Sequence, residues 1–230
     1  MHRVLAILAA GSATRAGVDK IFAELGGQPV LAWSLAAGQS AACFDEIVVV
    51  APAEKLKAVE ALARERAPGA HVVAGGSTRT ASSWAALDAA LKADIIAVHD
   101  AARPFCPPSL FARCVELAIK DGSAVAGLPL ADTVRRADEA GAATEELSRE
   151  GLWSAQTPQA FRRELLVKAR AAVGDRSFGD DAAALIAAGM RPKMVLGERR
   201  NLKITTFEDL AYARELVAKG LAGYPALQVR

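Results

Sequence analysis

Short apolar runs alternate with longer stretches of helical spacing along most of this chain, and that alternation restricts the fold more than any single motif. The runs fall at residues 4–9, 47–51, 71–74, 95–99, 124–127 and 194–196. Most are β-branched and lack a period of two, as expected for strands covered on both faces. Between them, apolar side chains recur every three to four residues. Leu56, Val59 and Leu62 do so in 54–66, Trp84, Leu87 and Leu91 in 78–91, and Leu110, Cys114 and Leu117 in 109–119 behind Pro107 and Pro108. A last helix is predicted over 207–219. Thr206 and Asp209 form a capping-box pattern at its start, and Phe207, Leu210 and Ala213 share one face. This order predicts an α/β fold, a Rossmann-like, mostly parallel sheet flanked by helices, in one domain spanning 1–230. Ligands of such sheets bind beyond the carboxyl ends of the strands, so the residues after each run are the candidates for function.

Composition narrows the class. Lys plus Arg is 28 and Asp plus Glu is 26 in 230 residues, a net charge of +2. That balance argues against a general nucleic-acid binder. Cys43, Cys106 and Cys114 form no CxxC pair, so neither a disulfide framework nor a zinc site is expected. His2, His71 and His99 fit no metal-ligand spacing, and His99 is read as structural. The opening apolar run of seven residues is too short to span a membrane, which needs about 20. A soluble, cytoplasmic protein with no membrane partner is expected.

The segment 129–150 breaks the alternation. It is polar, has a turn-like Asp138-Glu139-Ala140-Gly141 centre and offers no core face. A protruding two-stranded arm fits it, and a lone hairpin needs a partner surface to be stable.

Three loops after strands carry the chemistry. Ala10, Gly11 and the small residues up to Lys20, with Arg15 among them, form a loop whose backbone amides and cations suit a polyphosphate. The loop is neither a Walker A sequence nor GxGxxG. An ordinary strand–helix turn with solvated charges would look similar. Gly75, Gly76 and the hydroxyl run Ser77 to Ser83 precede a helix and suit either a base edge or a simple capped turn. Asp100 ends the fourth run, with Arg103 close by, where a carboxylate meets a metal or a sugar, or caps a helix. Leu202 and Ile204 flank Lys203, so its stem is expected to be partly packed.

Together these pieces resemble the 2-C-methyl-D-erythritol 4-phosphate cytidylyltransferases of the non-mevalonate isoprenoid pathway. The resemblance rests on Ala9-Ala10-Gly11 with Arg15 and Lys20, Gly75-Gly76 with Arg79 and Ser82, and Val98-His99-Asp100-Ala101-Ala102-Arg103-Pro104. Asp132-Thr133, Gly151-Leu152-Trp153, Thr157-Pro158-Gln159 and Asn201-Leu202-Lys203-Ile204-Thr205 follow in the same order. It implies transfer of a cytidylyl group from CTP to methylerythritol phosphate with release of pyrophosphate, Mg²⁺ (or another divalent cation), and a homodimer joined through the 129–150 arm.

The resemblance also implies roles. Ala10 and Gly11 line the triphosphate, while Arg15, Lys20 and Lys203 stabilise charge on the reacting phosphates. Gly75, Gly76 and Ser82 read the cytosine. Asp100 contacts ribose and metal. Arg103, Thr133, Arg149 and Thr157 hold the polyol phosphate, with Thr133 and Arg149 supplied by the partner subunit. The attacking group is a phosphate oxygen already ionised at neutral pH, so no general base is called for.

Some positions depart from the pattern. Ala13 and Ala16 stand where glycine and methionine are usual, the loop before Lys20 is short, and Ser177-Phe178-Gly179-Asp180-Asp181 lacks the usual threonine. Only eleven residues follow Lys219, so the second, cyclodiphosphate-synthase domain of some relatives is not expected. Two other readings are a ribitol-5-phosphate cytidylyltransferase and a catalytically inactive nucleotide-binding protein.

Overall fold

The computed structural model describes residues 1–11 and 19–222. Eleven strands are present among them: β1 (Arg3–Leu8), β2 (Glu24–Leu25), β3 (Gln28–Pro29), β4 (Glu46–Ala51), β5 (His71–Ala74), β6 (Ile95–Asp100), β7 (Ser123–Pro129), β8 (Val134–Ala137), β9 (Ala143–Leu147), β10 (Trp153–Arg162) and β11 (Met194–Leu196). The helices are α1 (Val30–Ser40), α2 (Leu56–Arg66), α3 (Arg79–Ala89), α4 (Pro108–Asp121), α5 (Arg163–Val173), α6 (Asp181–Ala187) and α7 (Phe207–Ala218). Seven strands make the main sheet, in the order β11-β7-β10-β6-β1-β4-β5. All neighbours pair in parallel except β10, which runs antiparallel to both β6 and β7.

Alternate strand residues divide between two cores. Leu5, Ile7, Ile47, Val49, Ile95 and Ala97 face Leu31, Leu35, Val59, Phe111 and Cys114 of α1, α2 and α4. Val4, Ala6, Val48, Val50, Ile96 and Val98 face Trp84, Leu87, Leu166, Ala169 and Leu185 of α3, α5 and α6. Burial on both faces is why the sequence shows unbroken apolar runs rather than alternation.

Each of the six runs is a strand, and four helices stand where spacing predicts them. The capping box at Thr206 and Asp209 is present. Phe207, however, is exposed, while Leu210 and Ala213 face the core. Leu91 falls past the end of α3 and is exposed too. Helix α1 carries no helical period because its residues 30–38 are all buried. The sheet covers one side, and Phe105, Ile204, Leu210 and Ala213 cover the other. An apolar surface all round is the mark of such a helix. At Gly38, an added Cβ would stand 2.4 Å from Leu5 Cδ2, so the helix sits close on the sheet only through this glycine.

β8 and β9 pair only with each other. Arg135 stands opposite Glu146 and Arg136 opposite Glu145, each pair bridged at 3.0 Å. The Asp138 carboxylate accepts the backbone N–H groups of Ala140 and Ala142, and Gly141 takes a positive φ of 81° to close the turn. No helix among the described residues is long and apolar enough to cross a membrane.

Candidate active site

Parallel pairing gathers three strand-end loops at one edge of the sheet. Leu8 stands in register with Asp100. The Ala9 N–H donates to Val50 O, the Gly75 N–H to Ala51 O, and the Ala101 N–H to Leu8 O. The first residues after β1, β5 and β6 are thereby held side by side.

Asp100 is the centre of this edge. Lys203 Nζ lies 2.7 Å from Asp100 Oδ2, Arg79 Nε 3.5 Å from Oδ1, and Arg103 Nε 4.0 Å from Oδ2. Burial pushes the Asp100 carboxyl up. Arg79, Lys203 and Arg103 outweigh it and hold the group down at about 2, so it is ionised at neutral pH. Lys203 arrives on the segment after β11. The Ile204 N–H donates to Ala102 O and Ile204 is buried, which fixes the backbone, while 41% of the lysine side chain stays exposed. Arg103 is buried, and burial lowers its pKa; Nη1 donates to Asn201 O at 2.7 Å, and its Nε has no hydrogen-bond partner among the described residues. Asn201 is itself buried and donates to Thr157 O at 2.7 Å. The segment bearing Lys203 is thus tied to β10 and to the loop after β6.

Behind Asp100 runs a chain of hydrogen bonds that settles the state of His99. Its Nε2 faces Arg103 O at 3.2 Å, and a carbonyl only accepts, so Nε2 carries the proton. Burial lowers the His99 pKa to about 4, which leaves Nδ1 bare at neutral pH. The Thr157 hydroxyl donates to that Nδ1 at 3.1 Å and accepts the Asp100 N–H at 3.0 Å. Thr157 is 3% exposed. The resemblance assigns Thr157 to the substrate; in this chain its hydroxyl is engaged by both His99 and Asp100 and its side chain supports Asp100 from behind. His99 is structural, as expected.

The Gly75–Gly76 turn leaves no room for side chains. A Cβ on Gly75 would lie 2.4 Å from Ala10 Cβ, and one on Gly76 would lie 2.4 Å from Ala81 Cβ. Ser82 is buried beneath the turn, and its hydroxyl donates to Thr78 O at 3.0 Å. Its single hydroxyl proton is thereby committed inside the turn. Ala10 packs against this turn and Gly11 is exposed. Lys20 is half-buried in the turn that Phe22 N–H closes on Asp19 O, next to the ion pair of Asp19 with Lys55. Arg15 lies outside the described residues.

Thr133 and Arg149 are exposed on the hairpin, where the Arg149 guanidinium donates to Ala131 O. The single chain does not bring them into the Asp100 cluster. At the hairpin base opens a groove of about 950 Å³, lined in part by Phe105, Leu128, Leu130, Leu196, Arg199 and Arg200. Asp100 does not line it.

Two residues of the site carry no signal of their own in sequence. In the sequence Arg79 stands out only as part of the Gly75-Gly76 motif, yet it is a cation of the Asp100 cluster. Asp181, the first residue of α6, meets Arg79 Nη2 at 2.8 Å. Burial lowers the Arg79 pKa, but Asp181 and Asp100 outweigh it and the net shift is upward.

No cluster of three or more His, Cys, Asp or Glu side chains gathers among the described residues. One ionised carboxylate at a strand end does fit Mg²⁺ that arrives on a nucleotide, because phosphate oxygens and water complete its shell.

The family model described as 2-C-methyl-D-erythritol 4-phosphate cytidylyltransferase matches residues 3–219. A bifunctional enzyme IspD/IspF of Anaeromyxobacter sp. is 44% identical over 96% of this chain and 59% of its own, so the chain spans about three fifths of that relative's length. A 2-C-methyl-D-erythritol 4-phosphate cytidylyltransferase of Deinococcus radiodurans is 40% identical over 91% of this chain and 87% of its own. The crystal structure of the Thermus thermophilus enzyme of that name superposes with a TM-score of 0.80 at 34% identity, covering 95% of this chain and all of the other. This chain belongs to the 2-C-methyl-D-erythritol 4-phosphate cytidylyltransferase family.

Proposed function

We propose that this chain, as one nucleotidyltransferase domain, transfers the cytidylyl group of CTP to 2-C-methyl-D-erythritol 4-phosphate. A phosphate oxygen of the polyol phosphate attacks the α-phosphorus of CTP, the α–β phosphoanhydride P–O bond breaks, and pyrophosphate leaves. The observation that carries this reading is the ionised Asp100 ringed by Lys203, Arg79 and Arg103 at the strand ends. Such a cluster offers positive charge and positioning but no base, which is what attack by an ionised phosphate oxygen requires. Mg²⁺ held at Asp100 would neutralise triphosphate charge. Lys203, exposed enough to swing, would leave Asp100 for the reacting phosphate. Arg103 would meet the polyol phosphate. The Gly75–Gly76 backbone would read the cytosine, and Ala10, Gly11, Arg15 and Lys20 would hold the triphosphate.

The hairpin residues Thr133 and Arg149 would complete a partner's site in a homodimer. The isolated two-stranded ribbon supports this, since such ribbons are marginal unless covered, and the groove at its base offers apolar surface beside Arg199 and Arg200. The test is pyrophosphate release from CTP with methylerythritol phosphate and, separately, ribitol 5-phosphate. Release with the first and little with the second is expected. Faster release with ribitol 5-phosphate, or none with either, overturns the reading.

A further inference from the structure

Asp181 holds a buried negative charge that the reaction outlined above does not use. It is 3% exposed, and Arg79 is its only charged partner among the described residues. Its two oxygens are both engaged, Oδ2 by Arg79 Nη2 at 2.8 Å and Oδ1 by the Ser83 hydroxyl. The helix it opens is anchored without it. Asp180 caps α6 by accepting the Ala183 N–H at 2.7 Å. Gln159 donates to Asp180 Oδ2 at 2.9 Å and accepts the Ala182 N–H at 3.0 Å. The Phe178 N–H donates to Thr80 Oγ1 at 2.8 Å, and Ala182, Ala184 and Leu185 are packed in the core. A buried ion pair is a poor device for stability alone, because apolar residues of similar volume often serve as well.

Its geometry gives it another use. Arg79 stands between two carboxylates and is hydrogen-bonded to only one. It meets Asp181 at 2.8 Å and stops 3.5 Å from Asp100. We propose that Asp181 is a positioning residue that holds the Arg79 guanidinium out of hydrogen-bond reach of Asp100 Oδ1 and so keeps that oxygen open to a nucleotide-borne divalent cation. Without Asp181, the nearest carboxylate to the half-buried guanidinium among the described residues is Asp100. A guanidinium clamps a carboxylate through two parallel hydrogen bonds, and a clamped Asp100 would exclude the cation. Asp181 acts here through Arg79 and touches no substrate.

The inference rests on the proposed nucleotide site, so the test begins with the native protein. Calorimetric binding of CTP is measured across a Mg²⁺ series for the native chain, Asp181→Asn, Arg79→Gln and the double variant. Loss of a residue that orients a metal ligand lowers metal affinity by about 10–100-fold. Asp181→Asn should raise the Mg²⁺ needed for half-maximal CTP binding by about tenfold, within that range. Adding Arg79→Gln should return the requirement towards that of Arg79→Gln alone, because the competing guanidinium is gone. A purely structural Asp181 would not be rescued in this way. In a metal-free crystal of Asp181→Asn, Arg79 should move within hydrogen-bond reach of Asp100.

A native-like Mg²⁺ requirement in Asp181→Asn, no rescue in the double variant, or an unmoved Arg79 each overturns the proposal while leaving the proposed function standing. Absence of Mg²⁺-dependent CTP binding in the native chain overturns both. Should Asp181→Asn fail to fold, Ser83→Ala loosens Asp181 by removing one hydroxyl. A requirement raised about two- to threefold, a fraction of the full effect, supports the proposal, and an unchanged one overturns it.

Discussion

Lys203 Nζ sits 2.7 Å from Asp100 Oδ2, although the two residues come from opposite halves of the chain. Asp100 belongs to the central strand β6, while Lys203 lies on an irregular segment beyond β11. The hydrogen bonds of Asn201 and Ile204 pin that segment across the strand ends. The ion pair keeps the lysine at the site, on a stem loose enough to change partner.

Lys203→Ala is therefore expected to lower kcat much more than it raises the KM for CTP. Removing one donor aimed at developing charge slows comparable sites about 10²–10³-fold. Steady-state pyrophosphate release checks this. A kcat within threefold or so of the native value would show that Lys203 does not act on the transition state.

Gly75 is expected to tolerate no side chain. An added methyl would lie 2.4 Å from Ala10 Cβ, 2.8 Å from Ser82 Oγ and 3.1 Å from Val50 Cγ1. Overpacking of this kind costs about 1–3 kcal/mol. Gly75→Ala should lower the thermal midpoint and raise the KM for CTP, since the turn must shift. Ala10→Gly in the same chain removes the atom of closest approach and should recover part of both losses. Equal stability of Gly75→Ala and the native chain would contradict the described packing.

Stability should fall on acidification below pH 6.5. Burial depresses the folded pKa of His99 to about 4 from an ordinary 6.5. The unfolded chain therefore binds a proton that the native chain refuses between those values. The resulting stability is fully present above pH 6.5 and is lost as pH falls towards 4, amounting to about 3 kcal/mol at most. Asp100, lowered to about 2 from 3.8, adds a smaller loss at still lower pH. Urea unfolding in the presence of a chelator at pH 7 and 4.5 checks this. His99→Gln should narrow the difference between the two midpoints, and an unchanged difference would mean that His99 is not the group being titrated.

The sheet was legible because its strands are covered on both sides, so burial alone writes the runs at 4–9, 47–51 and 95–99. β10 was not legible, since Gln156, Thr157 and Gln159 give it a polar sequence. Its buried amides find partners only in the fold, at Glu198 O and Asp180 Oδ2. Helix α1 was hidden for the opposite reason, being apolar all round. Within the site, Asp100 could be read from its place at a strand end. Asp181 could not, because its pairing with Arg79 exists only once α6 packs against α3. The same holds for the Thr157 hydroxyl, whose two partners come from β6.

Arg149 tests the proposed sharing of sites between subunits. It is exposed at the hairpin base, where its guanidinium meets Ala131 O, and so it is not committed to the Asp100 cluster of its own chain. Arg149→Ala and Lys203→Ala should each be nearly inactive as homodimers. Mixed with subunit exchange, they form heterodimers in which one site carries both defects and the other carries neither. With random pairing of equal amounts, half the dimers are mixed and half of their sites are intact. Activity should then return to about a quarter of the native value, by the counting that a two-fold dimer imposes. Exchange is followed independently with differently tagged chains. Verified exchange without recovery would place Arg149 and Lys203 in the same site of one chain, and the hairpin would not serve its neighbour.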